Sequence, residues 1–180
     1  MYRLLFFIAL FSASYAVADQ RDPRLSDLFD NLQKTKNVFE AETTERLIWD
    51  IWLQAPDLKS DQLMKTGIEA MAVRNYAVAL KNFDELINLY PDFAEGWYKR
   101  ANLYYLMEDY DQAIQNLNQT LMLEPRHFGA LSLLGLIKVK QNLESDALGN
   151  YEKVLAIHPN MNGMKDRVEE LRNLIRERSL

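Results

Sequence analysis

The sequence predicts an all-α fold, a solenoid of three helix–turn–helix repeats with flanking helices at both ends. Pro91, Pro125 and Pro159 stand 34 residues apart, and this step recurs through residues 60–161. Only 6 Gly and 5 Pro occur in 180 residues, about half the usual share, which favours helices with short links over a many-stranded sandwich. The chain has no cysteine, so its stability must come from packing rather than from disulfides.

Residues 1–18 have the pattern of a secretory signal peptide. Arg3 precedes an apolar run from Leu4 to Leu10, and the small-x-small sequence that ends at Ala18 suits signal peptidase. An uncleaved membrane anchor is the alternative, but a bilayer span needs about 20 apolar residues and this run is shorter. We therefore expect an exported protein, periplasmic or secreted, which would be membrane-tethered only if the signal stays attached.

A helical pair is predicted for residues 19–59, with helices near 25–35 and 38–55. We expect this pair to pack against the first helix of the first repeat. Trp49 and Trp52 are spaced for one helix face, and aromatic residues next to a repeat array usually lie in the core. The alternative is that the two indoles form an exposed anchor for a partner.

The three repeats span residues 60–93, 94–127 and 128–161. Small residues at the eighth and twentieth positions let the two helices of a repeat approach closely, and bulky residues fill the space around that contact. The proline column ends the second helix of each copy. The remaining columns are Gly67, Ala101 and Gly135; Ala79, Ala113 and Ala147; Phe83, Leu117 and Tyr151; and Leu89, Leu123 and Ile157.

Residues 162–180 predict a C-terminal capping helix over 164–179. Its apolar stripe contains Val168, Leu171, Leu174 and Ile175, and charged residues cover the rest of its surface. A terminal repeat needs such a polar outer cover, so the helix is expected to continue the solenoid and to solvate its end.

The middle copy closely resembles a tetratricopeptide repeat (TPR), and the resemblance extends over residues 60–161. It implies a right-handed superhelix that binds proteins through its concave face. Residues 93–97 and 124–131 also resemble segments of small exported bacterial members of this family. The signature positions of the middle copy are Trp97, Ala101, Tyr104, Ala113, Leu121 and Pro125.

One residue departs from the family pattern in an informative way. Arg100 occupies the seventh position, which is normally apolar and packed between helices. A cation in a packed layer must be paired, and Asp84, Glu85 and Glu124 are the candidates on neighbouring helices. We expect a structural ion pair between repeats.

The residues predict no enzyme, no cofactor and no metal site. The two histidines, His127 and His158, stand at repeat junctions without the spacing of a zinc site. Phosphate-binding glycine loops, calcium loops and nucleophile motifs are missing from the sequence. A net charge of −5 also argues against nucleic acid as a partner, because proteins that bind it normally carry a basic surface.

The resemblance implies that the first helix of each repeat forms a concave groove for a protein partner. Because this face is rich in apolar side chains, we expect an apolar or aromatic peptide or helix as the ligand. Met64 and Ile68 replace the Lys and Asn with which some TPR proteins hold a C-terminal carboxylate, so that mode is not expected. The candidate residues are Met64, Ile68, Met71, Tyr98, Asn102, Tyr105, Ser132, Leu136 and Val139.

A second hypothesis is structural. The groove can be filled by residues 25–35 or by the C-terminal helix, in which case its apolar residues are core. The chain would then be a homodimer that pairs through Trp49, Trp52 or the stripe at 168–175.

Overall fold

The computed structural model describes residues 20–178 and residue 180, and the signal-peptide prediction for residues 1–18 lies outside them. The described part is all-helical and contains no strand. None of its helices is both long enough and apolar enough to cross a bilayer. The helices are α1 Arg24–Lys34, α2 Val38–Trp52, α3 Leu58–Ala72, α4 Tyr76–Leu89, α5 Ala94–Leu106, α6 Tyr110–Leu123, α7 Phe128–Lys140, α8 Glu144–Ile157 and α9 Met164–Arg178.

Each repeat turns at the same point of its sequence. Arg74, Glu108 and Asn142 are 34 residues apart, and all three adopt a positive φ near 60° between the first and second helix. In the first two repeats a polar side chain then caps the helix that follows: Asn75 accepts a hydrogen bond from Val78 N, and Asp109 accepts one from Gln112 N. The 34-residue period thus describes a repeated backbone turn as well as repeated packing.

The small-residue columns allow the close helix contact that the sequence predicts. A Cβ added to Gly67 would lie 2.5 Å from the ring of Phe83, and a Cβ at Gly135 would overlap the ring of Tyr151. These contacts join α3 to α4 and α7 to α8. In the middle copy Ala101 takes the small position and is fully buried in one cluster with Leu117.

Arg100 forms the predicted ion pair between repeats. Its Nη1 lies 2.6 Å from Asp84 Oδ1 on α4, and its Nε donates a 2.8 Å hydrogen bond to Asn116 Oδ1 on α6. The guanidinium also lies over the ring of Trp97, 4.9 Å from its centroid. One cation therefore bridges the second helices of the first two repeats.

The helical pair formed by α1 and α2 does not pack where we expected. The prediction that it lies against the first helix of the first repeat is wrong, because its apolar face joins a core built on the third repeat and the C-terminal helix. Phe29, Trp49 and Trp52 surround Phe128, with ring centroids 5.2–6.5 Å from it. Burying these large rings is worth about 2 kcal/mol each, which decides the docking position.

The N-terminal segment follows the edge of the solenoid where one repeat passes into the next. Gln20 donates a hydrogen bond to the carbonyl of Asp92 at the first junction. Arg126, at the second junction, lies over the ring of Phe29, 4.2 Å from its centroid. At the third, Asn160 Nδ2 donates to the carbonyl of Thr35. The N-terminal segment thereby contacts all three repeat junctions.

The C-terminal helix caps the solenoid as predicted. It packs along α8, and Met164, Val168 and Leu171 are buried there. Leu174, the next residue of the stripe, is half-buried. Arg172 and Arg178 on the polar face reach back to Glu152 and Glu144 of α8.

Candidate functional site

The first helices of the repeats, α3, α5 and α7, carry the candidate residues on a face that has two unequal halves. Near the beginnings of the helices, α2 covers Tyr98 and Gly129. Toward their ends, the side chains are half-buried or exposed and α2 does not reach them. We refer to these as the covered half and the open half. The open half consists of Ile68, Met71, Asn102, Tyr105, Leu136 and Val139.

Trp49 is the residue of α2 that packs over the covered half. Its ring centroid lies 5.8 Å from that of Tyr98 and 5.4 Å from that of Phe128. A Cβ at Gly129 would lie 2.7 Å from Trp49 Cη2, so only glycine admits the indole at this point. The interpretation of Trp49 and Trp52 as core residues is therefore confirmed, and Trp52 is only 2% exposed.

A buried polar cluster supports the covered half. Glu95 Oε1 lies 2.9 Å from Lys99 Nζ, and Glu95 Oε2 lies 3.2 Å from His127 Nε2. His127 Nδ1 accepts a 3.0 Å hydrogen bond from Ala130 N, so the ring proton is on Nε2 and points toward Glu95. Burial raises the pKa of Glu95, but the cationic Lys99 and the bond from His127 outweigh it and hold this pKa below its usual range.

Tyr98 belongs to this cluster and lies, half-buried, under the indole of Trp49. Burial and the neighbouring charge of Glu95 raise the pKa of Tyr98 to about 12. One turn further on, Asn102 donates a 2.7 Å hydrogen bond to the Tyr98 carbonyl, so part of its amide is already used within the helix. Ser132 is also engaged, with its Oγ 3.7 Å from Met161 Sδ.

The candidates of the first repeat lie mainly in the core. Met64 is only 4% exposed and packs in a cluster with Phe83 and Leu103. Ile68 and Met71 pack against the same cluster and remain half-buried. Met64 therefore supports this end of the concave face but is not accessible to a ligand.

The open half ends in an apolar pocket of about 460 Å³ between α7 and α9. Tyr151 of α8 contributes its ring, and burial raises the pKa of its hydroxyl while the nearby Arg167 guanidinium opposes the rise. The pocket is open to solvent on the concave side, where Val139 is 37% exposed. Its lining residues are Leu136, Val139, Tyr151, Arg167, Glu170, Leu171 and Leu174.

The contribution of α9 to this pocket was missed in the sequence, although a signal for it exists. If the 34-residue register is continued past residue 161, Glu170 and Leu174 take the ninth and thirteenth positions, which belong to the concave face in the other copies. The capping helix thus replaces the first helix of a fourth repeat. No repeat position in the sequence predicts that Trp49 covers part of the concave face. The one related feature is the glycine at position 129, which lies opposite the indole.

Within residues 20–178, no cluster of three or more metal-ligating side chains exists. The two histidines are each hydrogen-bonded to one glutamate, His127 to Glu95 and His158 to Glu45. The first pair joins α5 to the beginning of α7, and the second joins the end of α8 to α2. The lowered pKa values of Glu95 and Glu45 are therefore explained by contacts within the folded chain.

Solved structures similar to this chain include TPR domains. The TPR domain of Sgt2 from Aspergillus fumigatus superposes with a TM-score of 0.63 at 25% identity, over 69% of this chain and 84% of that one. The first TPR of Spaghetti (RPAP3) gives 0.62 at 18% identity, over 67% and 96% of the two chains. MamA gives 0.59 at 18% identity, over 82% and 78%. These neighbours confirm the predicted fold class, a right-handed superhelical solenoid.

Sequence comparison gives the same family. The family model for the tetratricopeptide repeat matches residues 94–127. The small glutamine-rich TPR-containing protein 2 of Saccharomyces cerevisiae is 32% identical over 99 residues, 55% of this chain but only 29% of the yeast protein. A TPR repeat-containing protein of Rhizobium etli is 32% identical over 136 residues, which cover 76% of this chain and 67% of that protein. The chain therefore belongs to the tetratricopeptide repeat family.

Proposed function

We propose that this chain is an exported, non-catalytic module that binds a protein partner through the open half of its concave face. The observation that carries the proposal is the half-exposed set around Tyr105, Leu136 and Val139, which α2 leaves uncovered. Apolar side chains gathered on a concave surface mark an interaction site more often than a solvated face. The ligand is an apolar or aromatic peptide or helix.

TPR relatives support a binding role. The first TPR of Spaghetti was solved with an HSP90 peptide, SRMEEVD. This chain has Met64 and Ile68 where proteins that hold such a carboxylate terminus have Lys and Asn, and Met64 is buried. We therefore propose a different ligand. Its contact with the first repeat is made by apolar groups and not by a C-terminal carboxylate.

The proposed export rests on residues 1–18. Mass spectrometry of the chain purified from the envelope of its native host tests it, and cleavage after Ala18 gives a mature chain that begins at Asp19. A chain recovered from the cytosol with its first 18 residues intact would contradict export. The retention of those residues on a membrane-bound chain would instead indicate tethering.

Comparing Tyr105→Ala with Met122→Ala tests the binding surface. Tyr105 is in the open half, whereas Met122 is on α6 and is 75% exposed, away from the concave face. We expect Tyr105→Ala to lose proteins that the parent captures from envelope extracts, and Met122→Ala to keep them. Identical captured sets for all three chains would refute the groove assignment.

The second hypothesis, a structural homodimer with a self-filled groove, is favoured by one observation. Trp49 of the same chain covers Tyr98, so half of the concave face is occupied from within. The surfaces suggested for pairing are largely used, because Trp52 and Leu171 are buried inside the protomer. Light scattering on the purified mature chain separates the two hypotheses: a dimer supports the structural one, and a monomer removes it.

A further inference from the structure

We infer that the groove between α1 and α2 binds a partner segment in which a bulky apolar side chain is flanked by lysine or arginine. The residues that line this groove all lie between positions 24 and 54, in the N-terminal segment. We call this surface the α1–α2 groove. The inference goes beyond the proposed function, because the surface shares no residue with the concave face.

The α1–α2 groove is apolar at its base. Its volume is about 490 Å³, within the range of small ligand sites, which are mostly apolar with a few polar groups at fixed positions. Ile51 is only 4% exposed, and Leu28 is half-buried against the same core. Leu47 of α2 also lines the groove and is 47% exposed. An aromatic or branched aliphatic side chain from a partner would contact these residues and remove Leu47 from water.

The charged residues of the groove leave it with an excess of carboxylates. Its lining contains one cation, Arg24, and two carboxylates, Asp27 and Asp50. Arg24 is already paired outside the lining: its Nε donates a 2.9 Å hydrogen bond to Asp22 Oδ1, and its Nη2 lies 2.8 Å from Asp22 Oδ2. Neither Asp27 nor Asp50 forms an ion pair with a residue that the structure describes. The two unpaired carboxylates therefore attract cationic side chains to the groove.

Asp50 is a carboxylate that the fold itself does not explain. It is in the last turn of α2, where the partial negative charge of the helix end disfavours an anion, and that turn contains no basic residue. Arg46, one turn earlier, does not compensate it, because its Nη2 donates instead to Thr43 Oγ1 at 3.3 Å. Asp27 differs, since it is in the first turn of α1, where a carboxylate is favourable. A cationic ligand explains an anion that stands at an unfavourable position beside an apolar groove.

The positions of the two carboxylates define the arrangement of the ligand. Asp27 is on α1 and Asp50 is on α2, so an anchor seated between the helices has an acidic side chain on either side. A segment with cations before and after its apolar residue matches both. The same charges disfavour an anionic lipid surface, and a second copy of this chain, with its net charge of −5, is a poorer match than a basic partner.

Three synthetic peptides with blocked termini test the inference. KKLWKK carries the anchor and the cations, EELWEE carries the same anchor with acidic residues, and KKSSKK carries the cations without an anchor. Binding to the full mature chain at low salt is followed by NMR of the methyl groups of Leu28, Leu47 and Ile51. We expect KKLWKK to shift these signals and to bind about fivefold more tightly than EELWEE, the usual effect of exposed ion pairs. KKSSKK should bind more weakly than KKLWKK, because it buries no apolar side chain in the groove.

Charge reversal at Asp50 is the decisive variant. Asp50→Lys should abolish or invert the preference between KKLWKK and EELWEE without lowering the melting temperature, because a cation suits the end of α2. Asp30→Lys is the matched control: it makes the same change of charge in the N-terminal pair, but Asp30 is paired with Lys34 and does not line the groove. We expect the control to keep the parent's preference. Asp27→Asn, a milder change on the opposite wall, should reduce the preference without removing it.

Several results would overturn the inference. These are equal binding of KKLWKK and EELWEE, an unchanged preference in Asp50→Lys, methyl shifts confined to another surface, and no shift at about 1 mM peptide, where a millimolar complex would be half formed. Self-association of the chain through the methyl groups of the groove would identify a second copy as the occupant instead. The proposed function is tested separately by capture that depends on Tyr105, so either claim can fail while the other stands.

Discussion

Trp52 and His127 stack face to face, with ring centroids 4.3 Å apart and ring planes within 6° of parallel. Trp52 ends the second helix of the N-terminal pair, and His127 is the N-cap of α7, the first helix of the third repeat. The stack therefore joins two parts of the chain that no repeat column connects. It makes the N-terminal pair an integral part of the folded solenoid, with consequences for stability and for access to the concave face.

Trp52→Ala should strongly reduce the free energy of unfolding. Its ring is almost fully buried against Phe29, Trp49, His127 and Phe128, and truncation of a buried aromatic residue costs about 3–5 kcal/mol. Urea denaturation measures the loss. Phe39→Ala on the same helix is the control, because Phe39 is 73% exposed and should cost less than about 0.5 kcal/mol. Equal losses in the two variants would show that the pair is not docked as described.

Gly135→Ala and Gly149→Ala should change stability in opposite directions. A Cβ at Gly135 overlaps the Tyr151 ring, so the substitution forces α7 and α8 apart and costs about 1–3 kcal/mol. Gly149 is inside α8 and a Cβ there has no neighbour within 4 Å, so alanine stabilises the helix by about 0.5–1 kcal/mol. Thermal unfolding of both variants checks the signs. A neutral Gly135→Ala would mean that the helices are not in close contact.

Arg100→Leu should destabilise the chain by about 1–3 kcal/mol, because it leaves Asn116 and Asp84 without their shared donor. Arg100 is largely buried, whereas Arg172 forms an exposed pair with Glu152, so Arg172→Leu should change stability by no more than about 0.5 kcal/mol. The melting temperatures of both variants decide this prediction. An unchanged value for Arg100→Leu, accompanied by loss of partner capture, would assign Arg100 to binding instead.

Glu45→Gln should reduce the dependence of stability on pH in the acid range. The hydrogen bond from His158 lowers the pKa of Glu45 below its ordinary value of 4.5, although burial opposes the shift. A lowered pKa contributes stability that is present above pH 4.5 and is lost as the pH falls through the folded-state value. We expect Glu45→Gln to cost about 1–2 kcal/mol at pH 7, and the difference from the parent to shrink below pH 4.5.

Urea titrations at several pH values measure that difference. Glu42→Gln supplies the control, since Glu42 is on the same helix and is exposed. A constant offset between parent and Glu45→Gln at all pH values would mean that the Glu45–His158 pair does not depend on the charge of the glutamate.

The repeats could be predicted from the sequence because their period encodes contacts within and between neighbouring copies. Gly67 and Phe83, or Gly135 and Tyr151, are separated by a fixed step and meet in every copy that has them. The partner of Arg100 could be predicted for the same reason, since Asp84 is on the adjoining helix of the preceding copy. Local spacing was sufficient in these cases.

The docking of α1 and α2 could not be predicted in this way. Trp49 meets Tyr98 and Gly129 across long stretches of sequence, and neither partner is marked by a column that Trp49 shares. An amphipathic helix specifies that one face is buried but does not specify against which repeat. The division of the concave face into two halves follows from that docking, so it emerged only with the structure.

Photo-crosslinking at Val139 tests the central claim most directly. A photoreactive phenylalanine at Val139, in the open half, is compared in the native host with the same residue at Met122 on α6. The account predicts a specific crosslinked protein at position 139 that is absent at position 122 and is lost when Tyr105→Ala is added. The same products at both positions, or none at position 139, would contradict a partner-binding concave face.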